Sequence, residues 1–295
     1  MTFRIFQCFI DAKVLNMTTL GNRILHNIDQ PFTRKLISRL IYMKYVSRGE
    51  KIESVKYHKR LGVWEFRIDG VSYLSFGPGW AYSYSHLLER LKTLSGHFYL
   101  PKSGDVVIDI GAGIGEETVI LQSLVGGQGK VYAIEAHPKT FQTLQYLVEV
   151  NSLKNVVCSN VALADEPGIV SIDDSDNSFA NSILSTPKAK SFQVKAETFD
   201  EFVRRNSIDQ IDLVKMNVEG AEQLIIKGMK DSISAIKHMA ISCHDFRHKG
   251  GESEFFKTKG VIMQFLRDHK FSVETQSTNN DMIDDYVYAT NPVLK

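Results

Sequence analysis

Two hydrophobic periods alternate along this chain. Short apolar runs recur at 106–110, 131–134, 156–157, 211–216 and 236–242, each too short for a helix. Between several of them, apolar residues fall three and four positions apart. Val119, Ile120, Leu121, Leu124 and Val125 make one such stripe, and Phe141, Leu144, Leu147 and Val148 another. Phe199, Phe202 and Val203 make a third. This spacing predicts helices over 115–125, 138–150, 197–205, 221–229 and 255–269. Strands at 271–275 and 285–290 follow. Strands buried on both faces, alternating with helices, predict a mostly parallel sheet covered on both sides.

Before residue 95 the pattern differs. Residues 1–50 read as helical, with breaks at Gly21 and Pro31 and with Asp29 as a cap. Leu36, Ile37, Leu40, Ile41 and Tyr45 form an apolar stripe there, with Lys35, Arg39, Lys44 and Arg48 on other faces. From 54 to 77 the period becomes two. Trp64, Phe66 and Ile68 alternate with Glu65, Arg67 and Asp69, and Asp69-Gly70 marks a hairpin turn. The run FGPGWAYSYSH then reads either as a turn with aromatic anchors or as part of an acceptor pocket. A helix over 87–94 leads onward. We therefore expect an N-terminal extension, 1–95, ahead of a core domain, 96–295. No Gly/Ser/Pro-rich linker separates them, so the extension is expected to pack on the core. Its apolar stripe needs cover from that core or from a second copy of the chain, which leaves a homo-oligomer open.

The chemistry concentrates at Ser103–Pro138. A buried strand ending in Asp109 is followed by Gly111, Gly113 and Gly115, then a helix, a second strand and Glu135. Glycines there permit a tight turn and a close approach of backbone to a ligand. A dinucleotide fingerprint requires a third glycine where Glu116 stands. Asp109 and Glu116 beside a pyrophosphate would repel it. A cofactor without phosphate fits better, with Glu135 accepting from ribose hydroxyls.

The segments VIDIGAGIG, IEAHP, VALAD, AETFDEF and VKMNVEGAE occur in that order. Together they resemble the FkbM family of S-adenosylmethionine-dependent O-methyltransferases, over roughly residues 95–295. Two departures are visible. Asn217 stands where the family has Asp, and Phe199 replaces Leu in the T-L-D segment. The resemblance implies a doubly wound class I methyltransferase α/β sheet, mostly parallel with the last strand antiparallel. It implies S-adenosyl-L-methionine as cofactor, held by Asp109, Gly111, Ala112, Gly113, Gly115, Glu135 and Ala136, with Ala162 and Leu163 beside the adenine. The acceptor it implies is a hydroxyl on a sugar, a polyketide or another small molecule.

Catalytic candidates follow from strand ends, because ligands in open α/β sheets bind beyond the carboxyl ends of strands. Asn217 and Glu219 follow one strand, and Cys243-His244-Asp245 another. Glu219 can orient a hydroxyl and His244 can receive its proton. Asn217 is a neutral amide and no base. Adjacent residues on a strand point apart, so a His244–Asp245 pair is not expected. The runner-up to an active O-methyltransferase is a methyltransferase-like binding or structural protein without catalysis, suggested by Asn217 and by the extension.

Composition narrows the partners. The 295 residues carry a formal net charge of +1, 43% hydrophobic and 23% charged residues, which gives no global field toward nucleic acid. Cys8, Cys158 and Cys243 lie far apart, with neither zinc spacing nor a disulfide framework. A reducing, cytoplasmic compartment is expected. The start is not expected to be a signal peptide, and without a run of about 18 uncharged apolar residues no membrane span is expected. A peripheral membrane role for the basic stretch near 32–48 stays open. Asp173, Asp174 and Asp176 lack the spacing of a calcium loop, so no metal is expected.

Overall fold

The computed structural model describes residues 31–47, 51–77, 83–174, 183–184 and 191–294. The expected helices before Pro31, the centre of the aromatic turn at 78–82, and Asp176 lie outside these residues. The chain divides into two units, Met1–Ser83 and Tyr84–Lys295, so the helix expected over 87–94 belongs to the second.

In the first unit, helix α1 (Pro31–Val46) precedes strands β1 (Ile52–His58), β2 (Val63–Ile68) and β3 (Val71–Ser75). The strands pair antiparallel in the order β1-β2-β3. Ile68 faces Val71 across a two-residue turn in which Asp69 and Gly70 have φ of 49° and 78°. Two positive φ values in sequence are what a type I′ hairpin needs. The alternation of β2 misleads at one place, for Glu65 is only 2% exposed. Its carboxylate accepts from the Ser72 hydroxyl at 2.6 Å and meets His58 Nε2 at 2.7 Å, which satisfies the buried charge. Helix α1 turns Ile41 and Tyr45 inward, and the Tyr45 ring meets Phe66 edge-on at 5.9 Å.

The second unit opens with α2 (Tyr84–Thr93) and continues as β4 (Val106–Ile110), α3 (Glu116–Val125), β5 (Lys130–Ile134), α4 (Pro138–Val150) and β6 (Val156–Ser159). After an auxiliary sheet come α5 (Phe199–Arg205), β11 (Ile211–Met216), α6 (Glu222–Lys227), β12 (Ile236–Ser242), α7 (Asp245–Lys249), α8 (Lys259–Asp268), β13 (Ser272–Thr275), α9 (Asp281–Asp284) and β14 (Tyr286–Thr290). The main sheet runs β13-β14-β12-β11-β4-β5-β6, parallel except that β14 is antiparallel to both neighbours. This is the class I methyltransferase sheet. All six residues of β11 are buried, the charged Asp212 and Lys215 along with the four apolar ones.

The polar stretch 166–192 is less irregular than its composition suggests. Within or bordering it, β7 (Ala162–Leu163), β8 (Gly168–Asp173), β9 (Ile183–Leu184) and β10 (Ser191–Glu197) form a second sheet in the order β7-β10-β8-β9. Glu197, expected in a helix, ends β10. The helix begins only after Thr198, whose hydroxyl accepts from the Glu201 N–H while Glu201 accepts from the Thr198 N–H. The helix expected over 255–269 is likewise broken, because Asp245 accepts from the Thr258 and Lys259 N–H groups and starts α8 there.

Candidate functional site

The carboxyl ends of β4, β5, β11 and β12 carry the candidate residues. The turn after β4 is anchored by Gly111 and Ala112, whose N–H groups both donate to the Ile134 carbonyl at the end of β5. A Cβ on Gly111, which has φ of 74°, would lie 1.9 Å from the Asn217 carbonyl oxygen. Crossing of two backbones requires this glycine, whatever ligand approaches. Gly113 is different: φ is 59°, and nothing lies within 4 Å of where its Cβ would be. Gly115 lets α3 approach Leu144 and Leu147 of α4.

Glu135 stands beside this turn. One carboxylate oxygen accepts from the Gly113 N–H at 2.9 Å, the other from the His137 N–H at 2.8 Å. Burial raises the carboxyl pKa above its ordinary value, against these two donors and the Lys215 charge. An ionised carboxylate has about four acceptor positions, so two remain for ribose hydroxyls. The chain after β5 is pinned by Asn160, whose amide donates to the carbonyls of Glu135 and Ala136. Ala162 packs with Ala136, whereas Leu163 joins the main core.

Asp109 does not reach the cleft. It is fully buried, accepts from the Thr118 hydroxyl at 2.8 Å and lies 2.9 Å from Lys215 Nζ. The expectation that it touches the cofactor is corrected accordingly: it braces the turn from beneath. The Lys215 amine, 3% exposed, also reaches the Gly111 carbonyl at 3.2 Å and Glu117 at 3.8 Å. Burial alone would lower the amine pKa, but the two carboxylates raise it. Glu116, expected near the ligand, is instead paired with Arg90 at 2.7 Å.

At the ends of β11 and β12 the signature residues assemble around one histidine. His244 is 2% exposed. Its Nδ1 lies 2.8 Å from Glu222 and its Nε2 3.3 Å from Glu219. Burial pulls the imidazole pKa down, yet the hydrogen bonds and charges of the two carboxylates carry it to about 10. His244 is thus held between two carboxylates, an arrangement that favours its protonated form. Glu219 is pulled the other way: burial opposes ionisation, but His244 and Arg247 hold its carboxyl below the ordinary range. Arg247 Nη1 donates to Glu219 at 2.7 Å, and its guanidinium lies 3.8 Å from the centre of the Phe256 ring. Glu219 has φ of 53°, a left-handed conformation uncommon for a residue with a side chain. Asn217 is half-buried, its N–H continuing the ladder to the Ile110 carbonyl. Its side chain makes no hydrogen bond to a described residue. Asp245 is committed to capping α8 and forms no dyad with His244.

Sequence reasoning missed Lys215, Glu222, Arg247 and Asn160. The first two lie inside the VKMNVEGAE segment, where they could have been singled out. Asp174, one of the clustered acids, pairs with Lys139 at 2.7 Å. No group of acidic, histidine or cysteine side chains with metal-holding geometry occurs among the described residues.

A model of the methyltransferase FkbM domain matches residues 109–273. Hexuronic acid methyltransferase AglP of Haloferax volcanii is 26% identical over 140 residues, covering 48% of this chain and 56% of that protein. The match thus spans little more than half the length of this curated relative. Among solved structures, Aeropyrum pernix fibrillarin with natively bound S-adenosyl-L-methionine has a TM-score of 0.41 at 16% identity, covering 81% of this chain and 98% of its own. A SAM-dependent methyltransferase from Aquifex aeolicus gives the same TM-score and identity over 71% of this chain and 97% of its own.

Proposed function

The chain belongs to the family that carries the methyltransferase FkbM domain, and from this premise we propose that it methylates a hydroxyl of a sugar or another small molecule. Its cofactor is S-adenosylmethionine. The residues at the turn fit that group: open space faces Gly113, and Glu135 keeps acceptor capacity. When bound, the cofactor supplies an electrophilic methyl carbon on a sulfonium. Gly113 and Glu135 would hold it, with Ala136 and Ala162 beside the adenine.

The chain's own residues then have to align the acceptor oxygen and exclude water. The observation that carries the reading is the carboxylate–histidine–carboxylate chain of Glu219, His244 and Glu222. Glu219 is its outer member, with 21% of its side chain exposed against none for Glu222. It accepts the hydrogen bond of the acceptor hydroxyl and orients its oxygen. Its lowered pKa makes it a weak base, which suits a reaction whose electrophile is already activated. Arg247 and His244 fix its direction. The hexuronic acid methyltransferase lends support to the sugar class.

The test is turnover with a labelled methyl donor across a panel of hydroxylated sugars and small phenols. Transfer to an oxygen of one of them supports the reading. Binding of S-adenosylhomocysteine without transfer to any acceptor favours a binding protein instead, and Asn217→Asp would then show whether the amide is responsible.

Cofactor contacts can be tested separately by calorimetry. S-adenosylhomocysteine should bind and NAD should not compete. Glu135→Ala should weaken binding by about 1–3 kcal/mol, the cost of removing a buried hydrogen-bond partner. An unchanged dissociation constant would move the ribose site elsewhere.

The glycines should separate by position. In Gly113→Ala the added methyl points into open space and meets only the strain of the left-handed backbone, so the fold should persist with a small loss of stability while cofactor affinity falls. In Gly111→Ala the methyl meets the Asn217 carbonyl, so the thermal midpoint should fall as well. Equal midpoints for the two variants would contradict this division.

A further inference from the structure

Helix α1 presents a second apolar face that the described residues of the first unit do not cover. Ile41 and Tyr45 turn inward, but Leu36 is 47% exposed, Leu40 52%, Met43 54% and Val46 46%. At 100° per residue these four share one outward arc. Arg39 lies within that arc and Lys35 at its border, both exposed. The sixteen residues of α1 include four basic residues, Arg34, Lys35, Arg39 and Lys44, and no acidic one.

The charge is local. The first fifty residues hold eight basic and three acidic side chains, whereas the remaining 245 hold 27 basic and 31 acidic. A chain of almost zero net charge thus concentrates positive charge in the segment that carries the exposed apolar stripe. A nucleic-acid surface would use the charge and leave Leu36, Leu40 and Met43 in water. A second copy of the helix would cover the leucines but bring like charges together. An anionic bilayer answers both, because the apolar arc enters the acyl boundary while Lys and Arg reach the headgroups.

We propose that the outer face of α1 docks on an anionic phospholipid bilayer, as an interfacial helix lying in the surface. No helix among the described residues is long and apolar enough to cross a membrane, so the attachment is peripheral and reversible. It would hold the methyltransferase at a lipid surface, beside acceptors displayed there. This inference stands independently of the acceptor proposed above.

The experiment is co-sedimentation of the full chain with vesicles of phosphatidylcholine alone and of phosphatidylcholine mixed with phosphatidylglycerol. Binding is expected to the mixed vesicles only and to weaken with salt. Leu36→Ser with Leu40→Ser should abolish it. Lys35→Gln with Arg39→Gln should weaken it by roughly 30-fold, at about fivefold per charge. All four sites are exposed, so circular dichroism and cofactor affinity should be unchanged. Three outcomes would overturn the proposal: no binding to mixed vesicles, equal binding to neutral ones, or binding that survives both pairs of substitutions. Light scattering that shows a dimer disrupted by the leucine variant, with no vesicle binding, would assign the face to a second copy. Retention on an oligonucleotide without vesicle binding would assign it to nucleic acid.

Discussion

Lys215→Met should destabilise the protein by about 3–5 kcal/mol, the range for stranding a buried charge by removing its partner. Methionine keeps much of the length and volume but not the charge. Asp109, fully buried, and Glu117, 9% exposed, would then face each other without a cation between them. The loss should be read from urea unfolding followed by circular dichroism. Adding Asp109→Asn to the variant removes one stranded charge and should recover part of the loss. The surviving folded fraction should bind S-adenosylhomocysteine more weakly, since Lys215 also holds the Gly111 carbonyl. A Lys215→Met protein of unaltered stability would mean that the cluster does not brace the turn.

Glu219→Gln should lower turnover by roughly 10²-fold, the smaller end of what a positioned proton-accepting group contributes. Cofactor affinity should hardly change, because the proposed cofactor site lies at Glu135 and the glycine turn. Single-turnover rates beside calorimetry separate the two. A collapse of cofactor binding would place Glu219 in the donor site. His244→Gln distinguishes a cation holder from a base. The histidine's pKa is about 10 in the folded protein and about 6.5 unfolded. The folded state therefore binds the extra proton throughout that window. Its stabilising contribution is complete below the unfolded value and is lost as pH rises toward the folded one. Unfolding free energy in the native protein should fall across this window, and His244→Gln should flatten the fall. If His244 were instead a neutral base, the slope would be absent and activity would rise through a pKa near neutrality.

Much of the fold was legible because its central strands are buried on both faces. VVIDI, VYAI and IDLVKM can hardly read as anything else, and Asp69-Gly70 names its own turn. Strand β8 was not legible: its GIVSID sequence leaves Ile169 66% exposed, so its alternation is weak and its neighbours are polar. The break before α8 was hidden because its cap, Asp245, lies thirteen residues upstream of Thr258. At the site, sequence identified the strand ends but not the states of the groups there. Asp109 was visible as an acid near glycines, and only the opposing Lys215 shows that it faces inward. His244 was visible as a histidine at a strand end, and only its two carboxylate neighbours show that its protonated form is favoured. Long-range pairing of charges leaves no periodic trace in a sequence.

The position of β14 has a consequence for how the chain is made. It sits between β12 and β13 although it follows both in the sequence. While residues 286–290 are still inside the ribosome, β12 has an uncovered edge and β13 has no partner at all. The sheet can close only once residues 286–290 have emerged, by inserting one strand between two that already exist. Such an edge invites pairing with another nascent chain. Premature stop codons upstream of Tyr286 should therefore yield aggregated rather than merely inactive protein.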